Sequence, residues 1–377
     1  MPGITLKSIT IKDKQRSREI FRGQPLPHRS IVYIMDICDT GRLVPSVDAF
    51  KRLWEKGPNS APNNIQNMYE TCSNGRVLWN QSDNVVLGPV KVPCNGSYTR
   101  GRLNFTWDFR KSCGSSEQSA WMSAAEEYGR DVATRDINVA RLMSITTGRR
   151  VVLILPPSSK CGWAGLAAVG CSSKTCNAYI KSPTLDVLFH ELQHNNQLSH
   201  ASRGVDEYGD SSDTMGQTDA RNGGVCHNAA NLWRIGWADP ITTLTSTDLA
   251  NRPTITYTLP AIGTTTRNFV RLNAGWETVE TGVEGIVYYN TRSIQPTLYF
   301  SYRVKNNTRG GFDNGLDRGF HQKVFVHAYN GTQSDRDYNQ TKLITVLSKN
   351  GSYAIPNTKT KLTVVDVQSL YAVVSLA

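Results

Sequence analysis

The 377-residue sequence predicts two dissimilar parts: an α+β domain over residues 30–240 and an all-β, antiparallel sandwich-like domain over 241–377. Three observations carry this. All eight cysteines lie at or before Cys226. Apolar residues recur at helical spacing in the segment from Ser115 and again just before His190, with buried-strand runs between them. From Pro240 onward the chain breaks into short β-branched and aromatic runs, among them TITYTLP, LYFSYRV, KVFVHAY and KLTVVDV, separated by Gly, Asn, Asp and Pro.

Taken in order, residues 1–29 form a basic arm or propeptide remnant. Lys7, Lys12, Lys14, Arg16, Arg18, Arg22 and Arg29 are opposed there only by Asp13 and Glu19. The first residues have no apolar core of the kind a signal peptide needs, so the expectation is that the natural leader is missing from this chain. SIVYIMDICD, residues 30–39, predicts a buried strand, and residues 64–110 predict twisted strands and loops. SSEQSAWMSAAEEYGRDVA predicts a helix capped by Ser115 or Ser116, with Glu117 and Gln118 in its first turn and Trp121, Ala124, Ala125 and Tyr128 on one face. Arg149-Arg150-VVLILPP predicts a second buried strand. CGWAGLAAVGC, residues 161–171, predicts an edge strand of small residues that another backbone can approach.

The net charge of +11 favours an acidic partner, such as an anionic polysaccharide or an acidic glycoprotein. The basic residues are dispersed, and no recognition helix or RNA-binding signature accompanies them, so nucleic acid is not expected. No apolar run reaches the roughly 18 residues of a membrane span. The cysteines show no two-residue spacing of the zinc-ribbon or redox type, which predicts disulfides. Asn80, Asn95, Asn104, Asn306, Asn330, Asn339 and Asn350 each begin a glycosylation sequon. Disulfides and sequons together predict a secreted, extracellular glycoprotein.

HELQHNNQLSH, residues 190–200, concentrates three of the seven histidines in eleven positions. If the preceding LDVLF is helical, capped by Ser182 or Thr184 and started by Pro183, His190 and His194 project from one face and can share a metal ion. Glu191 is then placed to take a proton from a water that the metal acidifies. His200 lies about 9 Å further along a continued helix, so the helix must end and the chain must turn back. Glycine is the usual residue for that turn. Here Gln197 stands where it is expected, and Asn195 or Asn196 could take over the hinge.

HExxH with a third histidine six residues on, followed by the Asp-x-Met-Gly turn at Asp213–Gly216, resembles the metzincin zinc proteases. YGDSSDTMG and CHNAANLWRIGW are similar to the gametolysin family, secreted green-algal proteases of cell-wall glycoproteins. The resemblance implies a metzincin-like catalytic domain with a twisted mixed sheet, an active-site helix and a methionine turn. It makes His190, His194 and His200 ligands of Zn2+, Glu191 the catalytic base and Met215 a packing residue beneath the metal. No tyrosine stands two residues after Met215, where some metzincins carry a further ligand; Gln217 is there. Asp210 and Asp213 are candidates to support the ligands from behind. The implied function is a zinc endopeptidase acting on extracellular matrix or cell-wall glycoproteins. The rival reading is a catalytically degenerate matrix or polysaccharide-binding glycoprotein that keeps a structural zinc site. His28, His227, His321 and His327 have no partner pattern and are expected to be ordinary surface or core histidines.

Overall fold

A computed structural model of the chain describes residues 27–39, 45–100, 103–171, 175–218, 223–251, 254–273, 276–283, 286–293, 296–330 and 338–377. The basic arm expected over 1–29 lies outside these, apart from its last three positions. The described chain is mixed α/β, with several sheets and few helices.

Ser30–Ile37 is buried along its whole length because it is an interior strand of a five-stranded sheet, paired on both sides and covered on both faces. Asn84–Val92 and Arg150–Ile154 flank it in parallel, and Cys176–Ile180 follows in parallel. Gly165–Ala167 closes the sheet as a short antiparallel edge strand, as its small residues predict. Val32, Ile34, Val152, Ile154 and Ile180 point to one face, packed on Leu188, Phe189 and Leu192 of the helix Leu185–Asn195. Ile31, Tyr33, Met35, Val151 and Leu153 point to the other, packed on Trp121 and Ala125 of Ser115–Ala133 and Leu142 of Ile137–Ser144. Helices on both faces are why these strands read as unbroken apolar runs.

Two local expectations differ from what forms. Within 64–110, where strands and loops are predicted, Ile65–Cys72 is a helix. Asn64 caps it by accepting from the Asn67 backbone N–H at 2.8 Å, and Ile65, Met68, Tyr69 and Cys72 supply a buried face at helical spacing. The helix Ser115–Ala133 starts one residue earlier than a serine cap requires: Gly114 is the cap, and Glu117 accepts its backbone N–H at 2.7 Å. The eight cysteines pair as Cys38–Cys94, Cys72–Cys226, Cys113–Cys161 and Cys171–Cys176. Cys72–Cys226 closes the longest loop, tying that unexpected helix to the segment beyond the methionine turn.

Two further sheets, built mostly from residues beyond 240, stack on each other. The larger has six strands in the order Ala201–Ser202, Thr341–Leu347, Lys323–Tyr329, Thr297–Arg303, Arg267–Asn273 and Asp239–Thr245. Its inner pairs are antiparallel, as expected, but both edge strands pair in parallel. The smaller has four antiparallel strands: Ile255–Pro260, Tyr371–Leu376, Lys361–Val367 and Ser352–Ala354. Period-two alternation divides the larger sheet between two cores. Leu298, Phe300, Tyr302, Val324 and Val326 pack on Leu362, Val364 and Val374 of the smaller sheet. Phe269, Tyr299 and Tyr329 point the opposite way, into the cluster that also holds Leu188, Phe189 and Trp233. Contacts across position 240 are therefore core contacts.

Phe269 is fully buried in that shared cluster. Phe269→Ala is expected to cost about 3–5 kcal/mol. Denaturant unfolding followed by tryptophan fluorescence and by far-UV circular dichroism should give one coincident transition, shifted as a whole. A transition confined to one part of the chain would contradict a continuous core.

Candidate metal centre

The helix Leu185–Asn195 begins after Thr184, whose side chain makes no capping hydrogen bond, and buries Leu185, Leu188, Phe189 and Leu192. The apolar stripe thus fixes which face His190, Glu191 and His194 occupy. Asn196 is the C-cap and Gln197 has φ +66°, the left-handed conformation. The Gln197 N–H bonds the His194 carbonyl at 2.8 Å and the Leu198 N–H bonds that of Gln193 at 3.1 Å. These two bonds are a Schellman closure, with glutamine taking the position that glycine holds elsewhere. Of the hinges open to the sequence, Gln197 is used. Arg150 holds the residue before it, donating to Asn196 Oδ1 at 2.5 Å.

The turn returns His200 to the helix. One ligand nitrogen from each of His190, His194 and His200 can be chosen so that all three lie within 4.8 Å of one another. Each imidazole engages Nδ1 elsewhere: His190 with the Thr214 carbonyl at 2.9 Å, His194 with the Leu198 carbonyl at 2.8 Å, and His200 with Glu207 Oε1 at 2.5 Å. Those acceptors leave Nε2 of each ring to bind an ion. Burial first, then the neighbouring imidazoles, lowers His190 to about 4, and burial lowers His194 to about 4. Both rings are therefore held neutral, the ligating form. A three-imidazole donor set suits zinc, copper, iron or nickel.

Glu191 is 7% exposed, and burial pushes its carboxyl up to about 7. It lies against the edge strand: a Cβ at Gly165 would stand 2.4 Å from Glu191 Cγ, so only glycine leaves it room. Met215 is fully buried. Its backbone N–H bonds Asp213 Oδ1 at 2.7 Å, and its carbonyl accepts from Ala201, the residue after His200, at 2.9 Å.

Asp210 and Asp213 hydrogen-bond none of the three histidines among the described residues; both are wholly buried and organise the turn. Asp210 Oδ1 accepts from Ser212, and its Oδ2 from Asn228 and His327. Asp213 accepts from Met215, His227, Asn228 and Asn231. Four residues near the site were assigned no role from the sequence, although Tyr208 and His227 lie in the stretches that carry the family resemblance. Glu207 and Tyr208 come after His200 at no diagnostic spacing, yet the Tyr208 ring lies 4.1 Å from that of His200. His227 and His327, expected to be ordinary histidines, are core residues paired with Asp213 and Asp210. Among the sequons, Asn80, Asn95, Asn306, Asn330 and Asn350 are exposed, Asn339 is half-buried with its Nδ2 donated to the Asn330 carbonyl, and the Asn104 side chain lies outside the described residues.

A family model described as gametolysin peptidase M11 matches residues 29–360, running through the β-rich part as well as the histidine cluster. The chain is 36% identical over 393 aligned residues to the autolysin of Chlamydomonas reinhardtii. The match covers 89% of this chain and 61% of that protein, so the chain spans less than two thirds of its relative's length.

The positive φ at Gln197 carries a cost on the order of 1 kcal/mol that glycine would not bear. Because glycine also loosens the unfolded chain, Gln197→Gly should leave thermal stability unchanged or slightly higher. Gln197→Val, β-branched in the same conformation, should lower it by more than about 1 kcal/mol. Equal melting temperatures for the two variants would contradict the strained turn.

Burial alone would raise the Asp213 carboxyl, but His227 and the backbone N–H groups of Asn228 and Met215 outweigh it and hold the group well below the ordinary carboxylate range. A depressed native pKa contributes stability that is present above the unfolded value of about 4 and is lost as pH falls through the native value. Asp213→Asn should therefore be markedly less stable than the parent at neutral pH, with the gap narrowing in acid. Denaturation curves over a pH series check this, and a gap that widens in acid would contradict it.

Proposed function

This chain belongs to the gametolysin peptidase M11 family, and on that premise we propose that it is a secreted zinc-dependent endopeptidase. The observation that carries the reading is the convergence of His190, His194 and His200, Nδ1 engaged in each, beside a buried carboxylate that abuts an open sheet edge. The three imidazoles fit zinc, and they would hold it through Nε2. Bound zinc supplies Lewis acidity, polarising the scissile carbonyl and lowering the pKa of water toward about 7.

The protein's own groups do the rest. Among the described residues Gly165–Ala167 pairs only with Cys176–Ile180, so its other edge can take an extended peptide by main-chain hydrogen bonds. Glu191, next to that edge, orients the attacking water, accepts its proton and passes it to the leaving amine. Tyr208, exposed beside His200, offers an aromatic surface to a bound substrate. Asp210 and Asp213 keep the turn under the ligands in place. The substrate class is an extracellular-matrix or cell-wall glycoprotein, and the charge of +11 favours one carrying acidic groups or anionic polysaccharide. Four disulfides suit an extracellular setting, as do the sequon asparagines, which we take as glycosylation sites. Among the described residues no helix is long and apolar enough to cross a membrane.

Glu191→Gln keeps the volume and removes the base. It should retain stoichiometric zinc while peptide-library cleavage falls by several orders of magnitude, and a chelator should abolish parental cleavage without unfolding a chain held by disulfides and core. Cleavage within about tenfold of the parent in the glutamine variant would remove Glu191 from this role. A parent that binds zinc and cleaves nothing would favour the structural-site alternative.

A further inference from the structure

A buried polar cluster lies where the β-rich part meets the methionine turn. Immediately after His200 the chain enters Ala201–Ser202, which joins the edge of the six-stranded sheet by pairing in parallel with Thr341–Lys342. Ala201 is held from two further directions: its N–H bonds the Met215 carbonyl at 2.9 Å, and its carbonyl accepts from Asp210 at 3.1 Å. Where Asp210 sits therefore governs where His200 begins.

Asp210 is fixed by the sheet. His327 Nε2 lies 3.0 Å from Asp210 Oδ2; both oxygens of Asp210 accept from their other partners, Ser212 and Asn228, so the ring nitrogen is read as the donor here too. Both residues are fully buried, and the His327 ring stacks on Phe325 at an interplanar angle of 3°. Asn228 Nδ2 bridges Asp210 Oδ2 and Thr341 Oγ1 at 3.3 and 3.0 Å, and Ser202 Oγ donates to the Thr341 carbonyl at 3.2 Å. From the neighbouring strand the buried Arg303 donates to the Ser212 carbonyl and to both oxygens of Asp313. In this sheet Tyr299 pairs with His327 and Arg303 with Lys323, so the two arms leave adjacent strands toward the same loop.

We infer that the six-stranded sheet is part of the metal-holding site, with His327 a positioning residue that sets the approach of His200 through Asp210. This rests on the reading of the three histidines as the metal site. It makes residues beyond 240 necessary for high metal affinity as well as for folding.

The test is zinc affinity of the full-length chain, measured by competition with a chromophoric chelator. His327→Leu keeps bulk and loses the donor; it should bind zinc at least about tenfold more weakly. His327→Gln carries an amide nitrogen at nearly the Nε2 position and should restore affinity to within a few-fold of the parent. Val326→Ala, one residue away but facing the opposite core, should lower thermal stability while leaving zinc affinity of the folded protein unchanged. That contrast separates positioning from loss of stability. If His327→Leu does not fold, as judged by near-UV circular dichroism, His327→Asn takes its place, since its shorter amide cannot reach Asp210. Parental affinity in a folded His327→Leu or His327→Asn variant overturns the inference. Parental affinity in His190→Ala/His194→Ala would instead overturn the metal site itself, so the two failures are distinguishable.

Discussion

His200 can join His190 and His194 only if the helix that carries them stops within a single turn, and the Gln197 closure is what stops it. An uninterrupted helix would carry His200 about 9 Å past His194 and about 15 Å past His190. The two Schellman hydrogen bonds satisfy the carbonyls of Gln193 and His194 that the ending helix would leave exposed. They also release the His194 imidazole to bond the Leu198 carbonyl. Backbone strain at one residue is thus tied to the orientation of the His194 ring and to the path of the chain from His200 to the turn at Asp213–Gly216.

Burial and hydrogen bonding hold the segment beyond the Gln197 turn. Thr214, Met215 and Asp213 form a buried floor tied down by hydrogen bonds to the Asp213 carboxylate. The Thr214 carbonyl orients His190, and the Met215 carbonyl orients the residue after His200. Because Asp213 is wholly buried, its charge is tolerable only with several donors converging on it, and His227, Asn228 and Asn231 supply them. The same logic explains Arg303: a buried guanidinium is stable here because Asp313 receives it in two-pronged fashion. Such groups stabilise only as complete sets, which makes the floor all-or-none.

The six-stranded sheet gives this floor its support. Period-two alternation lets one strand serve two cores, with Leu298, Phe300 and Tyr302 bound to the small sheet and Tyr299 and Arg303 to the histidine-bearing part. A strand buried on both faces reads as apolar throughout, apart from isolated polar residues such as Arg303 and His327. In a sequence those two look like breaks in the pattern. In the fold they are the points at which one core reaches into the other.

By itself the sequence determined the local chemistry of this protein. Spacing of four residues put His190 and His194 on one helix face, the run SIVYIMDICD indicated a buried strand, and small residues within 161–171 indicated an edge strand. All of these depend on short-range geometry, which a linear text records. The tertiary structure decided what depends on residues far apart in the chain. It chose Gln197 over the neighbouring asparagines, because Arg150 holds Asn196 and the Leu198 N–H must find the Gln193 carbonyl. It turned Ile65–Cys72 into a helix, since its apolar face meets the sheet only in three dimensions. It recruited Glu207, Tyr208, His227 and His327 to the site from positions with no periodic mark. A buried carboxylate needs donors from wherever the fold can bring them, and no spacing rule in one sequence can say which those will be.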